Sequence, residues 1–199
     1  KSLPQIDLAT LVVSGDTLFF SAADESGMGL WKSDGTSAGT VRVDNEQSLY
    51  ISGDPYLGGI FDLNDTLFFT ADDGTHGPEL WTSDGTAAGT VMVKDIIDGA
   101  LNPNSYVNFD GTLFFIGYGT DGMELWKSDG TNAGTTLVKS LPHIFNDTLV
   151  VSGDTLFFSA ADESGPGLWK SDGTSEGTVR VDNDQYLLIY GDPSSGGIF

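Results

Sequence analysis

The sequence contains no cysteine, which removes disulfide bridges and thiolate metal or redox sites from consideration. Histidine is nearly as scarce: His76 and His143 stand in non-equivalent places, with no second His at metal-ligand spacing. No Ser or Cys lies in a nucleophile-elbow context, so a Ser-His-Asp triad has no support. Basic residues number only 8 against 29 acidic ones in 199, a formal charge of -21. Phosphate backbones and anionic lipid surfaces require a basic patch, so nucleic acid and membrane insertion are both argued against as partners. No apolar run of membrane length, lipidation motif or signal peptide is present, and no stretch shows helical apolar spacing. The chain opens at Lys1 inside a recognisable unit and is read as a piece of something longer.

Tryptophan is used in one context only. Glu124-Leu125-Trp126-Lys127-Ser128-Asp129-Gly130-Thr131, running on to Gly134-Thr135, occurs four times with small changes. Its Trp is Trp31, Trp81, Trp126 and Trp169, at spacings of 50, 45 and 43 positions. Repeats at this interval suit propeller blades of roughly 40–50 residues. The Leu-Trp portion reads as strand; Ser-Asp-Gly-Thr reads as a turn in which Asp caps backbone amides and Gly supplies positive φ. The turn residues are Asp34, Asp84, Asp129 and Asp172. Upstream of each lies Thr-Leu-Phe-Phe, apolar on both faces, as expected of a strand buried between two layers. A further short strand precedes each of these, which predicts four antiparallel strands per copy.

The expected fold is therefore all-β: a β-propeller or a related array of four-stranded antiparallel blades, four of them visible. The units are expected at 6–49, 57–98, 103–140 and 144–187, with 188–199 beginning another, in one array without a domain-separating linker. Residues 139–199 also repeat 1–61 at an offset of 138, with about four positions in five identical. Three motif copies thus form a larger tandem repeat, and Gly196 to Phe199 reads as the opening strand of a further unit. Such a strand needs a partner, so self-association as a homo-oligomer or head-to-tail fibre is expected.

The string Glu-Leu-Trp-x-Ser-Asp-Gly-Thr-x-x-Gly-Thr resembles a repeat of long, secreted or surface-exposed bacterial proteins. That resemblance covers nearly the whole chain and implies β-propellers at an extracellular or cell-surface location, but no defined activity. Two copies depart from it, with Gly29 and Gly167 where Glu79 and Glu124 stand.

Candidate chemistry is thin. Gly117-Tyr118-Gly119-Thr120-Asp121-Gly122 matches a dinucleotide fingerprint but runs into a strand where the fingerprint needs a helix. The acidic loops before each Trp are the candidate calcium ligands: Asp24, Asp72, Asp73, Asp121 and Asp162. No Asp-x-Asp-x-Asp-Gly loop is present, and turn capping accounts for such residues equally well. Asn64 and Asn146 head acceptor sequons for glycosylation. A glycosidase would need one unique carboxylate pair, whereas these acids recur in every unit, so the chain is read as no enzyme and as needing no cofactor beyond that calcium. The expected function is a non-enzymatic extracellular structural or adhesive repeat module. The alternative is a glycan-binding propeller lectin stacking sugars on the repeated Trp, against which stands packing of that Trp between blades. A hydrolase with its site outside this chain is the third class.

Overall fold

The computed structural model describes residues 5–6, 10–44, 49–51, 59–97, 99–120, 122–145 and 148–181, and they form strands and turns with no α-helix. The first blade holds β1 (Gln5–Ile6), β2 (Val12–Ser14), β3 (Thr17–Asp24), β4 (Gly27–Ser33) and β5 (Val41–Arg42). The second holds β6 (Tyr50–Ile51), β7 (Ile60–Leu63), β8 (Thr66–Asp72), β9 (Glu79–Ser83) and β10 (Val91–Lys94). The third is β11 (Asn104–Phe109), β12 (Thr112–Gly119), β13 (Gly122–Ser128) and β14 (Thr136–Leu141). The fourth is β15 (His143–Ile144), β16 (Val150–Ser152), β17 (Thr155–Asp162), β18 (Gly165–Ser171) and β19 (Val179–Arg180). All pairings are antiparallel, and each blade is its own sheet.

Among the described residues, only the third blade has a continuous first strand. In the others that strand is split, and both pieces pair with the same second strand: β1 and β2 with β3, β6 and β7 with β8, β15 and β16 with β17. Side chains fill the break. The Ser21 amide, left without a ladder partner, donates to Thr10 Oγ1 at 2.8 Å, and the Ser159 amide donates to Thr148 Oγ1 at 3.1 Å. The split also moves the unit boundaries. Tyr50–Ile51 belongs to the second blade although that unit was expected to begin at 57, and the fourth begins at His143. The strand expected at 188–199 lies outside the described residues.

Alternation along the central strands sends successive Phe residues to opposite faces, each against a different neighbour. Phe19 and Leu30 of the first blade pack with Leu67, Phe69 and Trp81 of the second. Phe68 and Leu80 pack with Leu113, Phe115 and Trp126 of the third. Phe114 and Leu125 pack with Leu156, Phe158 and Trp169 of the fourth. The core is thus a series of interblade layers, and Phe20, Ala22 and Trp31 form a separate buried group on the front of the first blade.

Candidate functional site: the interblade latch

The Ser-Asp-Gly-Thr turn is a network of hydrogen bonds among the motif's own side chains and amides. In the third blade, Gly130 N donates to Ser128 Oγ at 3.0 Å and Thr131 N donates to Asp129 Oδ1 at 2.9 Å. The Thr131 hydroxyl donates to the same oxygen at 2.7 Å and accepts from Gly134 N at 3.0 Å. Thr135 Oγ1 donates to the Thr131 carbonyl at 2.7 Å, which leaves Ser128 Oγ as the donor in its 2.7 Å contact with Thr135. A Cβ on Gly134 would stand 2.0 Å from Asp129 Oδ1, so the second glycine is required by the aspartate. The same bonds recur at Asp34, Asp84 and Asp172. Donation by the Thr hydroxyl and then by its amide holds all four carboxyls below the usual aspartate range.

This rigid turn receives the preceding blade. Gly85 (φ 80°), Gly130 (φ 87°) and Gly173 (φ 86°) each present a bare Cα to a Phe ring. A Cβ there would stand 3.0 Å from Phe19, 3.3 Å from Phe68 and 3.1 Å from Phe114 respectively. Glycine is therefore demanded twice, by the left-handed backbone and by the ring of the neighbouring blade. Lysine completes the contact: Lys32 Nζ donates to the Gly85 carbonyl at 2.8 Å and Lys127 Nζ to the Gly173 carbonyl at 3.0 Å. The second blade has Thr82 at that position, and Lys94 spans instead to the Thr135 carbonyl at 2.9 Å. Lys139 reaches the Ser175 carbonyl at 3.4 Å. Four of the 8 basic residues thus bridge one blade to the next blade's turn.

The acidic loops are also committed to local bonds. Asp24 Oδ1 accepts from Ser26 N and Arg42 Nη1, both at 2.8 Å, and Asp162 does the same with Ser164 N and Arg180 Nη1. Asp72 caps Gly74 N at 2.7 Å. Asp73 caps Thr75 N and His76 N and bonds the His76 ring at 2.8 Å. Burial opposes ionisation of Asp73, but the His76 and Thr75 hydrogen bonds prevail and hold its pKa below the usual range. Asp121 lies outside the described residues. Among the described residues, no three His, Asp or Glu side chains come together in a way that could hold a metal. Asn64 is exposed on the turn between β7 and β8 with φ 53°; Asn146 lies outside the described residues.

All four indoles are buried, between 5% and 8% exposed, so none presents an open face to a sugar ring. Trp31 Nε1 donates to the Ala22 carbonyl at 3.1 Å and Trp126 Nε1 to Glu124 Oε2 at 3.0 Å. Phe115 stacks on Trp126 and Phe158 on Trp169, with interplanar angles of 16° and 23°.

Sequence reasoning missed what the Glu/Gly exchange at the motif's first position does. Where Gly29 stands, Arg42 and Asp44 occupy the space: a Cβ would meet Asp44 Oδ2 at 2.4 Å and Arg42 Nη2 at 2.5 Å. Arg42 forms an ion pair with Asp44 and also donates to the Gly27 and Met28 carbonyls, bracing its own hairpin. Where Glu stands, its carboxylate fills that volume. The legible signal was the correlated exchange of Gly with Arg42 and Arg180, and of Glu with Met92 and Leu137. The two glutamates then differ. Glu124 accepts from Trp126 and, at 3.1 Å, from Ser140 Oγ. Glu79 is wholly buried, and neither of its oxygens has a hydrogen-bond partner among the described residues. The position equivalent to Ser140 holds Asp95, which has no proton to donate when ionised.

No family model matches the chain, and no curated protein resembles it significantly. Solved structures do. An acylaminoacyl peptidase from Pyrococcus horikoshii superposes with a TM-score of 0.56 at 10% identity, over 87% of this chain and 27% of the peptidase. TolB from Acinetobacter baumannii gives 0.51 at 13% identity, over 88% of this chain and 43% of TolB. A puromycin hydrolase gives 0.56 at 15% identity, over 86% and 29%. The fold is that of a β-propeller. The chain spans between about a quarter and under half of the length of these proteins.

These likenesses correct the expectation that the chain is not an enzyme. Two of the three proteins are a peptidase and a hydrolase, and each carries this fold over part of its length. The fold therefore does not set this chain apart from enzymes. At these identities the likeness establishes the fold and goes no further.

Proposed function

We propose that the chain is a structural or adhesive repeat module of an extracellular or cell-surface protein. One observation carries this reading: the residues that define the repeat join each blade to the next. The turn Asp, both turn glycines, the first Phe of Thr-Leu-Phe-Phe and the lysine after Trp all meet at the latch. A motif selected for joining units in series is what a scaffold extended by tandem duplication requires. The charge of -21 suits a surface in contact with salt water, where screening keeps self-repulsion low. The resemblance of the motif to repeats of bacterial surface proteins agrees with this placement.

The test is deletion of the encoding gene followed by measurement of cell retention on a solid surface under increasing shear. Retention should fall and be restored by the intact gene. Unchanged retention at every shear would overturn the adhesive and structural role.

A further inference from the structure

Aspartate followed by glycine is a weak point of a protein backbone, because glycine has no side chain to shield its amide nitrogen from the neighbouring carboxyl. Six such pairs stand among the described residues, headed by Asp34, Asp73, Asp84, Asp110, Asp129 and Asp172. Five of them are held. In the four motif turns one carboxylate oxygen accepts both the amide and the hydroxyl of the Thr two positions on. The glycine amide of each pair is itself taken by the motif Ser. Asp73 is bonded to Thr75 N, His76 N and the His76 ring, and the amide of Gly74 is taken by Asp72.

Asp110 is the exception. With Gly111 it makes the two-residue loop between β11 and β12, closed by the Phe109–Thr112 pair, and both residues have positive φ, 51° and 74°. Asp110 is exposed, and its side chain makes no hydrogen bond among the described residues. Nothing lies within 4 Å of where a Cβ on Gly111 would stand. The Gly111 amide donates to Asn108 Oδ1 at 2.9 Å, an exposed bond that water can replace. The other blades carry Gly15–Asp16, Asn64–Asp65 and Gly153–Asp154 in this loop, and there the residue after the acid is Thr. A β-branched side chain crowds the amide that glycine leaves open. The third blade alone places glycine after the acid here.

We propose that Asp110–Gly111 is a site of spontaneous modification, where aspartate converts to isoaspartate through a cyclic imide while the five held pairs stay intact. The Gly111 nitrogen attacks Cγ of Asp110. The N–Cγ bond forms, the Cγ–OH bond breaks, and the hydroxyl leaves with the amide proton as water. Water then adds to one of the two imide carbonyls, and the nitrogen regains its proton. Opening at the backbone carbonyl of Asp110 leaves a free α-carboxylate and a chain that runs through Cβ and Cγ; opening at Cγ restores aspartate. Nothing is oxidised or reduced. Asp110 borders an open groove of about 440 Å³ between the third and fourth blades, shared with Phe109, Phe114 and Gly173, so water has access. Isoaspartate adds one carbon to the backbone between Phe109 and Thr112. Phe109 stands edge-on to Phe114 with ring centres 5.4 Å apart, and Phe114 is the ring over Gly173, so the change is transmitted to the latch.

The experiment is ageing of the full 199-residue chain in warm neutral buffer, then enzymatic methylation of isoaspartate with a labelled methyl donor and peptide mapping of the label. Label should gather at Asp110. Each of the five held pairs should lag by at least ~10-fold, because hydrogen bonds to an ionised carboxylate must break before its carbon can be attacked. Ageing in guanidinium chloride gives the rates without the fold, and there the five should draw level with Asp110. Asp110→Gly combined with Gly111→Asp copies the order of Gly15–Asp16 and should abolish label in this loop. Should that pair fail to fold, Asp110→Glu decides the matter, since its carboxyl could close only a larger and slower ring. A folded chain that labels Asp110 no faster than the motif aspartates, or not at all, would overturn the proposal.

Discussion

Replacing Glu79 with Gln should flatten the stability of this protein between pH 5 and pH 9. The Glu79 side chain is fully buried, on the same face of β9 as Trp81, and has no hydrogen-bond partner among the described residues. Burial is the main cause that pushes its pKa from 4.5 up to about 8; the nearby amides of Leu101 and Ile96, which do not reach hydrogen-bond geometry, oppose the shift, and the charge of Asp95 adds to it. The folded state therefore keeps a proton that the unfolded chain releases. This contribution is fully present below pH 4.5 and is lost as pH rises through about 8. At about 1.4 kcal/mol per pH unit the loss approaches ~5 kcal/mol, an upper figure because a buried carboxylate can admit water or turn toward Trp81. His76, raised by its hydrogen bond to Asp73, works in the same direction, so His76→Gln is the control to subtract. The assay is urea unfolding at fixed temperature across that pH range. Wild type should lose several kcal/mol, and Glu79→Gln should lose almost none of it. Asp95→Ser, which copies the Ser140 donor of the third blade, should give a smaller loss than wild type. Parallel curves for wild type and Glu79→Gln would refute the reasoning.

Gly173→Ala and Gly35→Ala impose the same positive φ, but only the first drives a Cβ into Phe114, so it should lower stability by ~1–2 kcal/mol more; equal losses in chemical denaturation would mean that the latch contributes nothing. Trp126→Ala should cost ~3–5 kcal/mol, measured the same way, because the indole is buried and hydrogen-bonded to Glu124. Asp129→Ala strips two donors of their acceptor in one turn and should cost ~1–2 kcal/mol, and Asp129→Asn should recover part of that. Sodium chloride should raise the melting temperature of a chain of charge -21, and calcium at matched ionic strength should raise it no further; a larger calcium effect at micromolar levels would reveal a bound ion.

What the sequence disclosed and what it hid divide along the range of the interaction. The Asp34 and Asp129 caps were legible because an Asx turn is closed by atoms two residues apart, and those residues are in the motif. The strands were legible because Thr-Leu-Phe-Phe is apolar on both faces wherever it occurs. The split first strand was not, since pieces such as Gln5–Ile6 and Tyr50–Ile51 are too short to show a period. Interblade partners were hidden for a different reason. Lys32 and Lys170 stand in identical local sequence, yet one holds a carbonyl 53 residues away and the other holds nothing among the described residues. Glu79 and Glu124 share a motif position, and their difference is decided by whether Asp95 or Ser140 stands opposite.

A repeat therefore fixes the donor in each blade but leaves its energy to the neighbour. In such an array the blades share one plan, and each differs through the residues that depart from the repeat. The enzyme question belongs to that same divide. The recurring acids are accounted for by bonds within their own turns and loops and the tryptophans by packing between units, and a catalytic site in a propeller protein needs no trace in the repeat itself, because it can sit on residues the repeat does not specify. Substitutions that break the periodicity, as Asp95 does where Ser140 stands in the next blade, are thus the positions at which one blade acquires a property that the others lack.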